Sequence, residues 1–285
     1  MSSLIDSHVH VWDPQVNEYG WLEGVLDRPY LPAEYHAAAP EVTGVIFVQA
    51  DARDGLAEAR WVSELDWPEL LGIVAHAPLE LGGGVAAYLD EVRGVNKVVG
   101  IRRLLQDEPL AFFESDALRA GLATLAGSGL VFDACVRTGQ VSALTRLLAS
   151  VPELPVVLDH LGKPPVAAGD DGSWERDLRE LAALPQVRVK LSGMAPEAAP
   201  AELLGQVRPW LETALDAFGA ERCMVGSDWP VSAVTSHGQS PGAWIDLVLD
   251  DLGAAPAERE QLAWRTAAAF YGVASDPVAP DAVTR

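Results

Sequence analysis

Cysteine is scarce in this chain of 285 residues: there are two, Cys135 and Cys223, each inside an apolar run. That excludes a disulfide framework, and two buried thiols fit a reducing compartment, so a cytoplasmic location is expected. Bases are scarce as well, 20 against 41 acids, for a net charge of −21. Such a surface repels phosphate backbones and anionic lipid heads, which argues against nucleic acid and membranes as partners. No uninterrupted apolar run reaches the roughly 18 residues of a membrane span. The Met1-Ser2-Ser3 start lacks the basic and apolar stretches of a signal peptide. Much of the acidity lies in helical stretches such as Asp246–Glu260, where a solvated face accounts for it.

Hydrophobic residues are plentiful, at 49%. They fall in short β-rich runs at Leu4–His10, Gly44–Gln49, Gly72–Ala77, Val98–Arg102, Leu130–Val136, Val156–His160, Val187–Ser192 and Cys223–Ser227. Amphipathic stretches separate most of them; Ala117–Ala126 and Val141–Leu148 repeat apolar residues at helical spacing. Strands alternating with helices give parallel pairing through crossovers, and eight such units predict a closed α/β fold, the (β/α)8 TIM barrel, as one domain. Residues 1–273 are expected to form that domain. Residues 274–285, Pro- and Ala-rich without periodicity, are expected to be a disordered tail. Asp13–Pro40 follows the first strand and carries Tyr19, Trp21, Tyr30 and Tyr35 among prolines. Two readings stand for it: a lid or pocket wall, or an extended loop packed by its own aromatics.

Chemistry-bearing residues gather at strand ends. In Asp6-Ser7-His8-Val9-His10 the two imidazoles share one face of a strand. They can meet one metal ion or polarise one substrate oxygen, or they can face a solvated edge. Val225-Gly226-Ser227-Asp228-Trp229-Pro230 runs an apolar strand into a carboxylate. Strands 1 and 8 are neighbours in a closed barrel, so Asp228 is expected beside His8 and His10, where it can bind a metal and take a proton from water. Alone it would serve equally as a turn aspartate. Val157-Leu158-Asp159-His160-Leu161-Gly162-Lys163-Pro164-Pro165 puts a third polar tip after strand 6. Three such tips together are harder to dismiss than one.

These motifs, with Lys190-Leu191-Ser192-Gly193 after strand 7, Gly100-Ile101-Arg102-Arg103, Gln106-Asp107-Glu108-Pro109 and Ala269-Phe270-Tyr271-Gly272, resemble the amidohydrolase-2 group of the amidohydrolase superfamily. Within it they are similar to the branch of sugar-lactone and dicarboxylate-lactone hydrolases, over residues 4–273. The resemblance implies a TIM-barrel hydrolase of carboxylic esters whose partner is a small-molecule lactone, as a monomer or homodimer. It implies His8, His10 and Asp228 as the set for one divalent ion, zinc; branch members that need no metal leave a metal-free site open. It further implies Asp228 and His160 as the catalytic pair. Binuclear relatives use a lysine or glutamate on strand 4 and a histidine on strand 5. Here those strands offer Arg102, and Cys135 with Arg137, so a binuclear site is not expected.

Four of the few cations, Arg102, Arg137, Lys163 and Lys190, stand at or near strand tips. They can receive an oxygen-rich or anionic ligand, or pair with Asp133 and Asp159; Lys190 can equally turn into the barrel as a layer residue. Arg102, Arg137, Lys163, Gln49 and His76 are the candidate substrate-binding residues; for Gln49 a loop-capping role, and for His76 a core or wall role, fits as well. The expected reaction is attack of an Asp228-activated water on a lactone carbonyl, a sugar-acid lactone being favoured over a carboxylated muconolactone or pyrone-type lactone. A metal-dependent non-oxidative decarboxylase is the enzymatic alternative, and a barrel that only binds a sugar acid the non-enzymatic one.

Overall fold

The computed structural model describes residues 3–235 and 237–274. The expected C-terminal tail, from residue 275 on, lies outside the described residues. Eight parallel strands form one sheet in sequence order: β1 (Ile5–Val9), β2 (Gly44–Val48), β3 (Leu70–His76), β4 (Val98–Leu104), β5 (Val131–Cys135), β6 (Val156–Leu158), β7 (Val187–Leu191) and β8 (Cys223–Val225). The sheet closes where the Asp228 N–H donates to the His8 carbonyl and the His10 N–H to the Trp229 carbonyl, both at 2.8 Å. This is the predicted TIM barrel.

Helices follow the strands because the intervening segments carry an apolar stripe and a start signal. Asp116–Ala126 begins after Ser115, whose hydroxyl accepts the Leu118 N–H, and buries Leu118, Leu122 and Leu125. Val141–Ala149 buries Val141, Leu144, Leu147 and Leu148 in the same way. These stripes fill the layer between sheet and helices. A second cluster, with Ile5, Ile46, Val48, Val74, Val157 and Met224, lies inside the barrel against Phe270 and Tyr271 of the last helix, Thr266–Tyr271. Alternation then turns the next inward positions, Asp133 on β5 and Lys190 on β7, to the barrel interior above that apolar floor.

Two elements differ from the sequence expectation. The β1–β2 register shifts between Asp6 and Val9, and Asp6 Oδ1 accepts the His8 N–H at 3.1 Å. Simple alternation from Ile5 is broken there, and His8 and His10 both face inward beyond the irregularity. Strand β6 stops at Leu158 rather than His160. His160, Leu161 and Lys163 then take left-handed conformations, φ 53, 54 and 53°, which swing the imidazole over the mouth.

The aromatic segment after β1 is an irregular wall. Trp12 stacks edge-on with Trp21 and Tyr30, centroids 5.3 and 5.1 Å apart, and its indole donates to the Leu26 and Arg28 carbonyls. Both readings of the segment therefore meet: it is packed by its own aromatics and presents Trp21 to the cavity.

Candidate active site

His8, His10, His160 and Asp228 converge at the C-terminal end of the barrel, where enzymes of this architecture place their chemistry. The His8 and His10 Nε2 atoms are 3.2 Å apart. Asp228 Oδ1 lies 3.9 Å from His8 Nε2, 3.5 Å from His10 Nε2 and 3.7 Å from His160 Nε2. Two glycines make the approach possible. A Cβ on Gly226 would sit 2.8 Å from the His8 Cβ, and one on Gly193, at φ +61°, would lie 2.3 Å from His160 Nδ1.

Each side chain is oriented by a partner behind it. His10 Nδ1 lies 2.7 Å from the Val48 carbonyl, which can only accept, so Nδ1 holds the proton and Nε2 turns a lone pair to the site. His160 Nδ1 meets Ser192 Oγ at 2.9 Å. The Ser232 hydroxyl donates to Asp228 Oδ2 at 2.9 Å, which leaves Oδ1 facing the imidazoles. Asp228 itself is held at φ +59°.

Burial, with the Lys190 charge behind it, lowers His8 well below its usual range; Asp159 opposes this without cancelling it. Burial lowers His10 too, and takes His160 down to about 4. All three imidazoles are therefore neutral at neutral pH, the form that can bind a metal or accept a proton. Burial alone would raise the Asp228 carboxyl. Its coupling to the imidazoles, His160 foremost, outweighs burial and holds it below the usual carboxylate range: a proton entering the cluster charges a ring before it neutralises the carboxylate.

A zinc ion with bonds of about 2.0–2.1 Å in tetrahedral geometry sets its donors about 3.3 Å apart. The spacings among His8 Nε2, His10 Nε2 and Asp228 Oδ1, 3.2 to 3.9 Å, fit that requirement. His8 is held from behind, its Nδ1 lying 3.3 Å from Asp159 Oδ1 and 3.0 Å from the Lys190 ammonium, with Nε2 on the side of the site.

A charged network lies beneath. The Lys190 ammonium, fully buried, donates to Asp133 Oδ2 at 2.5 Å and lies 3.1 Å from Asp159 Oδ1. The Tyr271 hydroxyl donates to Asp133 Oδ2 at 2.9 Å. Burial pushes the Asp133 carboxyl up to about 6. Asp159, equally buried, is held well below its usual range by Lys190 and His8.

A cavity of about 280 Å³ opens above the four residues. Arg102 and Lys163 line it, as expected from the sequence. Arg137 does not: its half-exposed side chain pairs at 3.1 Å with Asp107, which does line the cavity. Gln49 is buried beneath the mouth, where its Oε1 accepts the Asp51 N–H at 2.6 Å. His76 packs on Gly55 at the start of the helix Gly55–Ser63, where an added Cβ would come within 2.5 Å of the His76 Cβ. Neither lines the cavity. Trp21, from the segment read as a possible pocket wall, does line it, and so do Asp51, Cys135 and Glu197, which the sequence reading missed as site residues. Asp51 follows β2 as Asp228 follows β8, and the same strand-tip rule would have found it.

A family model described as amidohydrolase matches residues 5–273. The chain belongs to the amidohydrolase family. It is 34% identical to an L-fucono-1,5-lactonase of Burkholderia multivorans, over 94% of this chain and 96% of that protein. A second L-fucono-1,5-lactonase, from Burkholderia ambifaria, is 30% identical over 86% of each. Among solved structures, an amidohydrolase of Burkholderia multivorans with bound zinc superposes with a TM-score of 0.85 at 35% identity, covering 96% of this chain and all of that one. In this amidohydrolase, no helix among the described residues is long and apolar enough to cross a membrane.

Proposed function

We propose that this protein is a lactonase that opens the ring ester of a sugar-acid lactone, with Asp228 and His160 as catalytic residues and His8, His10 and Asp228 as the metal set. The observation that carries the reading is the meeting of a buried carboxylate with three imidazoles, each within 3.9 Å of Asp228 Oδ1, at the floor of a small cavity. The relatives named as L-fucono-1,5-lactonases support the substrate class.

Asp228 Oδ1, free of the Ser232 hydroxyl, takes a proton as a water oxygen bonds to the lactone carbonyl carbon. The ring C–O bond then breaks, and the proton passes from Asp228, or through His160, to the departing ring oxygen; the product is a hydroxy acid. His8, His10 and Asp228 would hold a zinc ion, which would supply a Lewis acid for the carbonyl oxygen. Arg102, whose guanidinium lies 3.5 Å from His8 Nε2, and Lys163, at the rim, orient the substrate.

In the same reading the protein works as a cytoplasmic monomer or homodimer on a small molecule, with neither nucleic acid nor membrane as partner; its net charge of −21 supports this. The test is acid release from a panel of aldonolactones, followed with a pH indicator, with and without chelator. Release that stops with chelator and returns with zinc is the expected result. Release from none of them, or CO2 release from an aromatic acid instead, would overturn the reading.

A further inference from the structure

The turn after β2 is held from four sides. Both carboxylate oxygens of buried Glu58 accept the Ala50 N–H, at 3.1 and 3.2 Å. The Trp21 indole N–H donates to the Ala50 carbonyl at 2.7 Å. The Arg102 guanidinium donates to the Gln49 carbonyl, and Gln49 Oε1 accepts the Asp51 N–H at 2.6 Å. These tethers fix Asp51 at φ +61°, a left-handed conformation that aspartate and asparagine tolerate better than other non-glycine residues. Asp51 lines the cavity, and so does Glu197, in the loop after β7.

The hydrogen-bonding state of the rim decides what it can receive. Among the described residues neither the Asp51 nor the Glu197 carboxylate has a hydrogen bond or ion pair, although both face the cavity. The cations are mostly engaged. Arg102 donates to the Gln49 carbonyl and lies 3.5 Å from Asp159 Oδ2, and Arg137 is paired with Asp107. Lys163 donates to Gln106 Oε1 and meets no carboxylate among the described residues. Two open carboxylates against one unpaired ammonium leave the rim rich in anionic acceptors, which want O–H or N–H donors and repel a second carboxylate. With its N–H spent on Ala50, what Trp21 offers the cavity is its ring system, an apolar plane of the kind that packs on a sugar ring.

We infer that Asp51 and Glu197 are the specificity-determining residues: they grip ring hydroxyls from two sides and select a neutral, polyhydroxylated single-ring lactone against one that carries a carboxylate. The inference rests on the lactonase reading and narrows its substrate. A cavity of about 280 Å³ is at the small end of ligand sites and suits one ring.

The test compares an aldonolactone with the aldarolactone of the same ring, which differs by one carboxylate. The variants are Asp51→Asn and Glu197→Gln; asparagine retains the left-handed turn, so the fold is kept. For the parent, kcat/KM is expected to favour the neutral lactone by at least about tenfold, the scale of a charged hydrogen bond. Each variant should lose about ten- to hundredfold on the neutral lactone and little on the carboxylated one, so the preference collapses. Calorimetry with an unhydrolysable polyhydroxylated lactam supplies a second readout, and Asp51→Asn should weaken its binding by a similar factor. A parent that opens no lactone yet binds the lactam through Asp51 would remove the lactonase activity and leave this assignment standing. A parent that opens lactones with a preference unchanged in both variants would overturn the inference while the lactonase reading survives.

Discussion

The Lys190 ammonium lies 3.0 Å from His8 Nδ1, so the one lysine fully buried in the barrel touches the back of a candidate metal ligand. Its other neighbours, Asp133 at 2.5 Å and Asp159 at 3.1 Å, are fully buried carboxylates. Breaking such a group on one side leaves an uncompensated charge in the interior. Lys190→Met is expected to cost about 3–5 kcal/mol in urea unfolding. The double variant Lys190→Met with Asp133→Asn should recover part of that loss, since it removes both partners. Additive losses in that cycle would show that the contact contributes nothing of its own.

Asp228→Asn preserves shape and the contact with Ser232 while removing the base. Turnover of the best aldonolactone should fall by at least about 100-fold, with the melting temperature little changed. Near-parental turnover in stopped-flow acid release would assign water activation to another group.

Arg102 answers a different question. Its guanidinium is committed to the Gln49 carbonyl and to Asp159, so Arg102→Met should loosen the β2 turn that carries Asp51. We expect kcat/KM to drop more for the neutral lactone than for the carboxylated one. A loss of about 2–5 kcal/mol confined to carboxylated substrates would instead show a carboxylate held there.

Glu58 governs a pH dependence. Burial pushes its carboxyl up to about 8, against 4.5 for the free side chain. The folded state therefore binds the proton more tightly than the unfolded chain. The stability this gives is fully present below about 4.5 and is lost as pH rises through about 8. Urea midpoints should decline across that window in the parent. Glu58→Gln, which carries no titrating proton, should flatten the decline; an identical slope in that variant would assign it elsewhere.

Much of this architecture is legible locally. The strand runs all lie within two residues of the observed bounds, because a barrel strand is a short apolar run and burial on both faces is written into its own sequence. The irregular β1 register and the early end of β6 were not legible. Each depends on a side chain reaching backbone groups, as Asp6 does, or on left-handed residues that no period announces.

The sequence by itself determined the fold class, the family and the four residues at the barrel mouth, since each sits at the tip of a strand whose position follows from local pattern. Only the tertiary structure decided which charges are open to a ligand. Lys190 meets Asp133 across 57 residues and His8 across 182, while Arg137 is taken up by Asp107. A cation near a strand tip has the same local sequence signature whether it faces the cavity, the core or solvent. Its role is set by which carboxylate the closed barrel brings within about 3 Å of it, and that is a long-range fact.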